Sequence, residues 1–175
     1  MPAQGSSLLI RNEQPGDIAG IDAVHRAAFP GPLEARLVRL LREAGHLQVS
    51  LVAEVNGDIA GHVAFSPVEL AGSTSGWGLA PLAIHPGLQR KGIGRELIRA
   101  GLKACAAAGC GFVVVLGDPA YYGRFFGFTS AARWSLLDEY GGGEAFQALE
   151  LQPGSIPAAG GLVRYGPEFS IFADS

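Results

Sequence analysis

Residues 79–98 read LAPLAIHPGLQRKGIGRELI, and this stretch decides the fold that the rest of the chain is expected to adopt. An apolar strand ends at His85-Pro86, a basic turn with two glycines follows, and apolar residues then recur at helical spacing. Gly92 and Gly94 let a ligand approach the backbone closely, while the first amides of the helix have no partner within it. The helix dipole adds about half a positive charge at the same point. Phosphate is therefore the ligand that this strand, loop and helix predict.

Three cationic residues, Arg90, Lys91 and Arg95, add formal positive charge around the turn. Two other phosphate-binding patterns do not match. A P-loop requires Gly-Lys-Ser/Thr, whereas this chain has Gly92-Ile93. A dinucleotide-binding fingerprint requires G-x-G-x-x-G in an early strand-to-helix turn and an acidic residue roughly 20 positions on, which the chain lacks.

The segment 82–86 followed by Gln89-x-x-Gly92-x-Gly94 resembles the central motif of the GNAT superfamily of N-acetyltransferases, whose Q/R-x-x-G-x-G/A pattern holds the pyrophosphate of acetyl-CoA. A second block, VLGDPAYY at residues 115–122, resembles a bacterial subfamily of uncharacterised N-acetyltransferases. In this block the interval from Tyr122 to Gly127 is one residue longer than in the family signature.

The resemblance implies an α/β fold with a mixed, twisted sheet of six to seven strands, flanking helices, and a cofactor slot where strands 4 and 5 splay apart. It implies that acetyl-CoA is the acetyl donor, that the backbone of residues 82–84 binds the pantetheine, and that residues 89–94 bind the pyrophosphate. No metal is expected. The implied cofactor-binding residues are Leu82, Ala83, Ile84, Gln89, Arg90, Lys91, Gly92, Ile93, Gly94, Arg95, Gly117, Asp118 and Tyr122.

Acetyl transfer to an amine also needs groups that move protons. Tyr122 is the candidate acid for the departing thiolate, because a tyrosine is protonated at neutral pH. Core packing within an aromatic cluster is the alternative for this residue. The candidate base is Glu69, with His85 and Asp118 as alternatives, since residues 77–84 contain no carboxylate. A water chain, or an amine that arrives neutral, would serve equally, and His25, His46 and His62 are interpreted as structural.

Composition excludes several other classes. The 175 residues suit one domain, expected over residues 7–175 after a disordered N-terminus at 1–6. A net charge of -3 with scattered basic residues argues against nucleic-acid binding. The chain shows neither an apolar run near the roughly 20 residues that span a bilayer nor a secretory signal, so a cytoplasmic protein is expected. Cys105 and Cys110 are expected to be reduced thiols.

Local patterns predict the elements around the motif. A strand is expected at 8–11, a helix capped by Asp17 at 17–29, a second helix at 33–44, and a hairpin of strands 49–55 and 59–65 joined by Asn56-Gly57. Pro67 is expected to end or bend the second strand, and 71–76 to form a loop. The other predicted elements are strands at 77–84, 112–116, 146–151 and 161–165, a helix at 91–108, and a short helix after Asp118-Pro119.

The predicted function is acetyl-CoA-dependent N-acetylation of a small molecule or peptide by direct attack in a ternary complex. A non-catalytic acyl-CoA-binding or sensing module is the alternative, which the lack of an obvious base favours. Transfer of a longer acyl group, or transfer to a hydroxyl, is a third hypothesis. The acceptor and the oligomeric state stay open, although an apolar content of 48% is compatible with a homodimer.

Overall fold

A mixed β-sheet runs through the part of the chain that the computed structural model describes, residues 7–173. The expectation for residues 1–6 lies outside this part. The strands are β1 (Leu8–Asn12), β2 (Val49–Val55), β3 (Asp58–Leu70), β4 (Ser73–Ile84), β5 (Phe112–Leu116), β6 (Thr129–Ser130), β7 (Leu136–Asp138), β8 (Phe146–Glu150) and β9 (Gly161–Tyr165). The α-helices are α1 (Ile18–Ala28), α2 (Leu33–Glu43), α3 (Ile93–Ala107) and α4 (Pro119–Phe126).

The strands are ordered β1-β2-β3-β4-β5-β8-β6, and β9 pairs with both β3 and β7. All neighbouring pairs are antiparallel except β4 with β5 and β7 with β9, which are parallel. The α/β fold with a mixed sheet is confirmed. The predicted strand count of six to seven is too low, because the described residues contain nine strands and the short β6 and β7 carry no clear sequence pattern. No helix in the described part is long and apolar enough to cross a membrane.

Two tight turns build the antiparallel half of the sheet. Asn56 and Gly57 adopt φ angles of 52° and 89°, as a type I′ hairpin requires, so the predicted first hairpin is confirmed. Ala71 and Gly72, with φ angles of 52° and 79°, form a second two-residue turn between β3 and β4. The expected loop at 71–76 is therefore wrong beyond this turn, because β4 already begins at Ser73.

Pro67 does not end β3, which continues to Leu70. On one edge of β3, pairing with β2 ends at Phe65 and pairing with β9 begins at Val68. Pro67 lies in the interval between these two partners. A proline is tolerated there because its missing amide hydrogen removes no ladder bond to either strand.

The parallel pair of β4 and β5 is short. Its register joins Gly76 to Phe112, Trp77 to Val113 and Gly78 to Val114, and then stops, although β4 continues for six residues to Ile84. The two strands thus part at their carboxyl ends. This confirms the splayed strands 4 and 5 that the sequence resemblance implied.

A bulge in β4 lies just beyond the last paired residue. Across the β3–β4 ladder, Val63 faces Leu82 and Phe65 faces Leu79, so that two residues of β4, Ala80 and Pro81, stand opposite one residue of β3. An extra residue bends the strand that carries it and increases its twist. The bend directs the end of β4 away from β5.

Helix α3 packs on one face of the sheet through a row of buried residues at helical spacing, Ile93, Leu97, Gly101 and Cys105. Gly101 is required by close packing, since a Cβ there would lie 2.4 Å from the Phe65 ring. Helix α1 packs against β3 and β4 and helix α2 against β4, and Ile21, Val38 and Val52 form a cluster separate from the one under α3. Cys105 and Cys110 are buried free thiols, as the sequence predicted.

A chain of polar side chains links α1 to the β2–β3 hairpin inside the protein. His25 Nε2 lies 2.8 Å from His62 Nδ1, and His62 Nε2 lies 2.8 Å from Ser50 Oγ. Ser50 donates to Glu13 Oε1 at 2.7 Å, and Arg42 binds both oxygens of Glu13 at 2.8 Å. Two histidines that are isolated in the sequence are thus paired in space, and both are completely buried.

The hydrogen bonds assign the tautomers along this chain. Because Ser50 gives its one hydrogen to Glu13, it accepts from His62 Nε2–H, and His62 Nδ1 then accepts from His25 Nε2–H. His25 Nδ1 is left without a hydrogen and without a hydrogen-bond partner among the described residues. Burial lowers the pKa of His25 to about 4 and the pKa of His62 well below its usual value. Both rings are therefore neutral in the folded protein.

This arrangement predicts a loss of stability between pH 7 and pH 5. The unfolded chain binds a proton at His25 near pH 6.5, whereas the folded protein does not until about pH 4, so that falling pH favours unfolding. A difference of this size corresponds to on the order of 3 kcal/mol once the pH has fallen to the folded pKa. The free energy of unfolding in urea, measured at pH 7, 6 and 5, should fall accordingly.

The test variant is His25→Gln, which keeps an N–H donor but cannot titrate. Its free energy of unfolding should depend less on pH than that of the wild type. Burial acts to raise the pKa of Glu13, but hydrogen bonds from Arg42 and Ser50 outweigh it, so the contribution of Glu13 is lost only below pH 4.5. An unchanged slope in His25→Gln would contradict this assignment.

Candidate active site

The loop after β4 is held to the end of that strand by hydrogen bonds. The backbone N–H of His85 donates to the Ala60 carbonyl at 2.8 Å, which fixes the strand end on β3. The side chain of Gln89 donates through Nε2 to the Ile84 carbonyl at 3.1 Å. Gln89 therefore shapes the loop by binding it back to the strand from which it departs.

The start of α3 has the geometry of an anion site. Gly92 precedes the helix with a φ of 85°, and Arg90 also lies in the left-handed region with a φ of 64°. The amide of Glu96 donates to the Gly92 carbonyl at 3.2 Å and closes the first turn. Earlier amides have no carbonyl within the helix to bind, so they can receive a negatively charged group.

A cavity of about 540 Å³, the loop cavity, lies against this helix start. Its lining residues are Leu82, Ile84, Leu88, Gln89, Arg90, Gly92, Ile93, Gly94, Arg95, Tyr121 and Phe125. A Cβ at Gly94 would meet only Tyr121 Oη at 3.7 Å and the Ile84 side chain at 3.8 Å and beyond. A side chain at Gly94 would therefore not clash with the protein, but a large one would fill the loop cavity.

Cationic groups surround the loop cavity. The guanidinium of Arg95 lies 4.5 Å from the centre of the Phe125 ring, and that of Arg124 lies 5.2 Å from the same ring. These contacts hold the two charges beside α4. Arg90 and Lys91 are exposed at the loop itself.

A second cavity of about 460 Å³, the central cavity, occupies the gap where β4 parts from β5. Its lining residues are Phe29, Glu34, Leu37, Leu79, Ala80, Pro81, Leu82, Val115, Leu116, Tyr122, Tyr140, Tyr165, Phe169 and Phe172. Leu82 lines both cavities. The anion site at α3 and the gap between the strands are therefore neighbours along the free edge of β4.

Tyr122 is buried in the wall of the central cavity, with 8% of its surface exposed. Gly117 makes room for it, since a Cβ at Gly117 would lie 2.4 Å from the Tyr122 ring. Asp118 accepts a hydrogen bond from the Ala120 amide at 2.9 Å and caps α4, as predicted. Burial, and secondarily the neighbouring Tyr121, raise the pKa of Tyr122 to about 12.

The two adjacent tyrosines face different cavities. Their rings meet edge to face at 5.2 Å, with Tyr122 in the central cavity and Tyr121 in the loop cavity. This separation is the one expected of successive residues on a helix. The extra residue before Gly127 is accommodated inside α4, which runs to Phe126 and ends at Gly127 with a φ of 79°.

None of the three candidate bases named from the sequence lines the central cavity. Glu69 is exposed on β3, its register partner in β9 is Arg164, and it does not line the central cavity. His85 accepts the Gly87 amide in a turn at 3.2 Å, and Asp118 is a helix cap. Among the residues that line the central cavity, Glu34 alone carries a charge, and no sequence motif marks it.

The site combines three features: two parallel strands that part, a cavity in the gap between them, and a helix start beside the gap that can bind an anion. Together they suit an elongated ligand with a negatively charged end. This combination defines the class of CoA-dependent acyltransferases that the sequence motif had indicated. The profile of the acetyltransferase (GNAT) family matches residues 18–128, and the chain belongs to that family.

Individual proteins agree with this assignment over more of the chain. The uncharacterized N-acetyltransferase YhbS of Escherichia coli K12 is 43% identical over 168 residues, which cover 94% of this chain and all of YhbS. The crystal structure of Escherichia coli YhbS in complex with CoA superposes with a TM-score of 0.90 at 40% identity, covering 97% of this chain and 96% of YhbS. A GNAT family acetyltransferase from Brucella melitensis in complex with acetyl-CoA gives a TM-score of 0.80 at 39% identity, with 93% and 98% coverage.

Proposed function

We propose that this protein is an acetyl-CoA-dependent N-acetyltransferase that acetylates an amine by direct attack in a ternary complex. The observation that carries the proposal is that Leu82 lines both cavities, so that the cavity beside the start of α3 adjoins the cavity that contains the buried Tyr122. The CoA and acetyl-CoA complexes of the two related structures support the same ligand. The free thiols Cys105 and Cys110 agree with a cytoplasmic location.

The residues present fit the cofactor. The amides that precede Glu96 and the charges of Arg90, Lys91 and Arg95 suit the pyrophosphate, and Gly94 leaves its approach open. Residues 82–84 are not paired with β5, and apart from the Ile84 carbonyl, which accepts from Gln89, their backbone can bind the amide groups of the pantetheine as a further strand would. Gln89 supports the loop through Ile84.

Acetyl-CoA, when bound, supplies an acetyl group activated as a thioester. Tyr122 is the residue that we assign to the sulfur at the end of the reaction. With a pKa raised to about 12 its hydroxyl stays protonated, so it is always ready to donate a hydrogen bond.

The raised pKa also limits what Tyr122 can do alone. A free thiol has a pKa of about 8.5, so a full proton transfer from this phenol to a thiolate is uphill by about 3.5 pK units, or on the order of 5 kcal/mol. This cost is offset if the phenol regains a proton from the attacking nitrogen in the same step. Tyr122 then acts as a shuttle between nitrogen and sulfur and ends the reaction unchanged.

The first test concerns the anion site. Gly94→Val should weaken CoA binding by about tenfold or more in calorimetry, because its side chain fills the loop cavity, while the thermal midpoint changes little. Gly92→Val is a poorer test, since a residue with a φ of 85° is strained by any side chain. Gly16→Val, where nothing lies within 4 Å of the added Cβ, is the matched control and should bind normally. Unchanged CoA affinity in Gly94→Val would contradict the proposed site.

The second test concerns the acid. Tyr122→Phe should lower kcat by about 10² while CoA affinity stays near the wild-type value, because the ring still packs and only the transferable proton is lost. Tyr121→Phe is the control, since this ring faces the loop cavity; it should retain kcat even if its affinity for CoA changes. Equal kcat values in the two variants would remove Tyr122 from the chemistry.

A further inference from the structure

The acceptor side of the central cavity combines a wall of aromatic rings with one carboxylate. The geometry points to a small arylalkylamine as the acceptor, with its ammonium group at Glu34 and its aromatic body against Tyr140, Tyr165 and Phe169. This inference rests on the proposed N-acetyltransferase function and names the class of its substrate.

The aromatic wall comes from the last third of the chain. Tyr140 and Tyr165 have ring centres 5.6 Å apart, Tyr165 and Phe169 are 5.1 Å apart, and Phe169 and Phe172 are 6.5 Å apart. The interplanar angles are between 37° and 50°, so the rings are tilted against each other. A wall of this kind offers a planar apolar group both area and favourable ring contacts.

The wall is anchored to the body of the protein. Phe169 is buried against Leu37 and Leu41 of α2, and the turn that carries it is held by a hydrogen bond between Glu168 and His46. The hydroxyl of Tyr140 lies 3.5 Å from the Phe169 carbonyl. Because these side chains are already ordered, binding costs little conformational entropy, which favours affinity for a rigid ligand of complementary shape.

Glu34 is the residue of the central cavity that can bind a cationic group. It lies in the first turn of α2, where the helix dipole stabilises a carboxylate, and it is half-buried. Within residues 7–173 no Arg, Lys or His forms an ion pair with it. An ammonium group that enters the cavity therefore finds one available negative charge and, beside it, aromatic faces that also attract cations.

The same features disfavour other amines. A polyamine or an aminoglycoside carries several positive charges, and the cavity would desolvate them with only one carboxylate to compensate. The volume of about 460 Å³, which the acceptor must share with the acetyl end of the cofactor, lies near the lower end of the range of roughly 300–1,000 Å³ for small-molecule sites, so the acceptor must be small. A lysine side chain on a peptide would reach Glu34 but would leave the ring wall with little to cover it.

The residues allow a balanced transfer to such an amine. The ammonium form held by Glu34 is in equilibrium with the neutral amine, whose lost proton passes to solvent, and the neutral nitrogen forms a bond to the acetyl carbon. The carbon–sulfur bond breaks, and Tyr122 gives its proton to the sulfur. The second proton of the nitrogen restores Tyr122, so that an amide, a thiol and one solvent proton are the products.

The experiment measures thiol release from acetyl-CoA with four probes: 2-phenylethylamine, propylamine, spermidine and a peptide whose only amine is a lysine side chain. We expect kcat/KM for 2-phenylethylamine to exceed that for each other probe by about tenfold or more, as the burial of an aromatic ring implies. A preference for spermidine or the peptide would overturn the acceptor class and leave the N-acetyltransferase function standing. Acetyl-CoA binding without turnover of any amine would overturn both.

Two variants test the residues separately. Glu34→Gln should raise KM for 2-phenylethylamine by about tenfold or more, whereas Glu43→Gln, at the exposed far end of the same helix, should change it by less than about twofold. Tyr140→Ala should reduce the ratio of kcat/KM for 2-phenylethylamine to that for propylamine. Calorimetry of 2-phenylethylamine with the CoA-loaded protein gives a readout that needs no turnover, and normal binding by Glu34→Gln would contradict the role of this carboxylate.

Discussion

The parting of β4 from β5 after Gly78 and Val114 is the constraint on which the rest of the site depends. A parallel pair that stayed in register would use every backbone group at this place and close the gap. The bulge at Ala80 and Pro81 prevents this by bending β4 while β3 continues to support it on the other edge. The free edge, the central cavity and the approach to α3 all follow from one extra residue in one strand. A proline is tolerated there because the bulge interrupts the regular ladder between β3 and β4.

Much of the fold could be predicted from local patterns. The bounds of β2, β5 and β9 match the predicted strands, and the helices, the first hairpin turn and the cap of α4 follow from residues close together in sequence. The misses have long-range causes. Gly76 resembles a loop residue in the sequence. In the structure a glycine is required there by close packing, because an added Cβ would lie 2.2 Å from the Phe112 ring. Pro67 resembles a strand end, but β3 merely changes its edge partner there, from a strand before it in sequence to one almost 100 residues later.

The candidate site also has a part that local sequence predicts and a part that only the fold brings together. The loop at 89–94 carries its own signal, because a helix start and its glycines are adjacent in sequence. Glu34 carries none, since a glutamate in the first turn of an amphipathic helix is ordinarily a solvent-exposed residue. It becomes notable only when α2, β4 and the last third of the chain meet around the central cavity. His25 and His62 likewise show their relation only in space, and a chain of hydrogen bonds that ends at Arg42 then accounts for all but one of their ring nitrogens.

The distribution of charge gives the site a direction. Arg90 and Arg95 line the loop cavity, with Lys91 in the same loop, and the central cavity has Glu34 as the single charged residue of its lining, although the protein as a whole is only mildly acidic. If the protein has the proposed function, the anionic end of the donor is attracted to the loop cavity and a cationic acceptor to the central cavity, and each is disfavoured in the other cavity. The other residues that line the central cavity are apolar or are tyrosines, and the hydroxyl of Tyr122 carries no net charge. On the proposed function, charge would therefore orient the two reactants before the acetyl group is transferred between them.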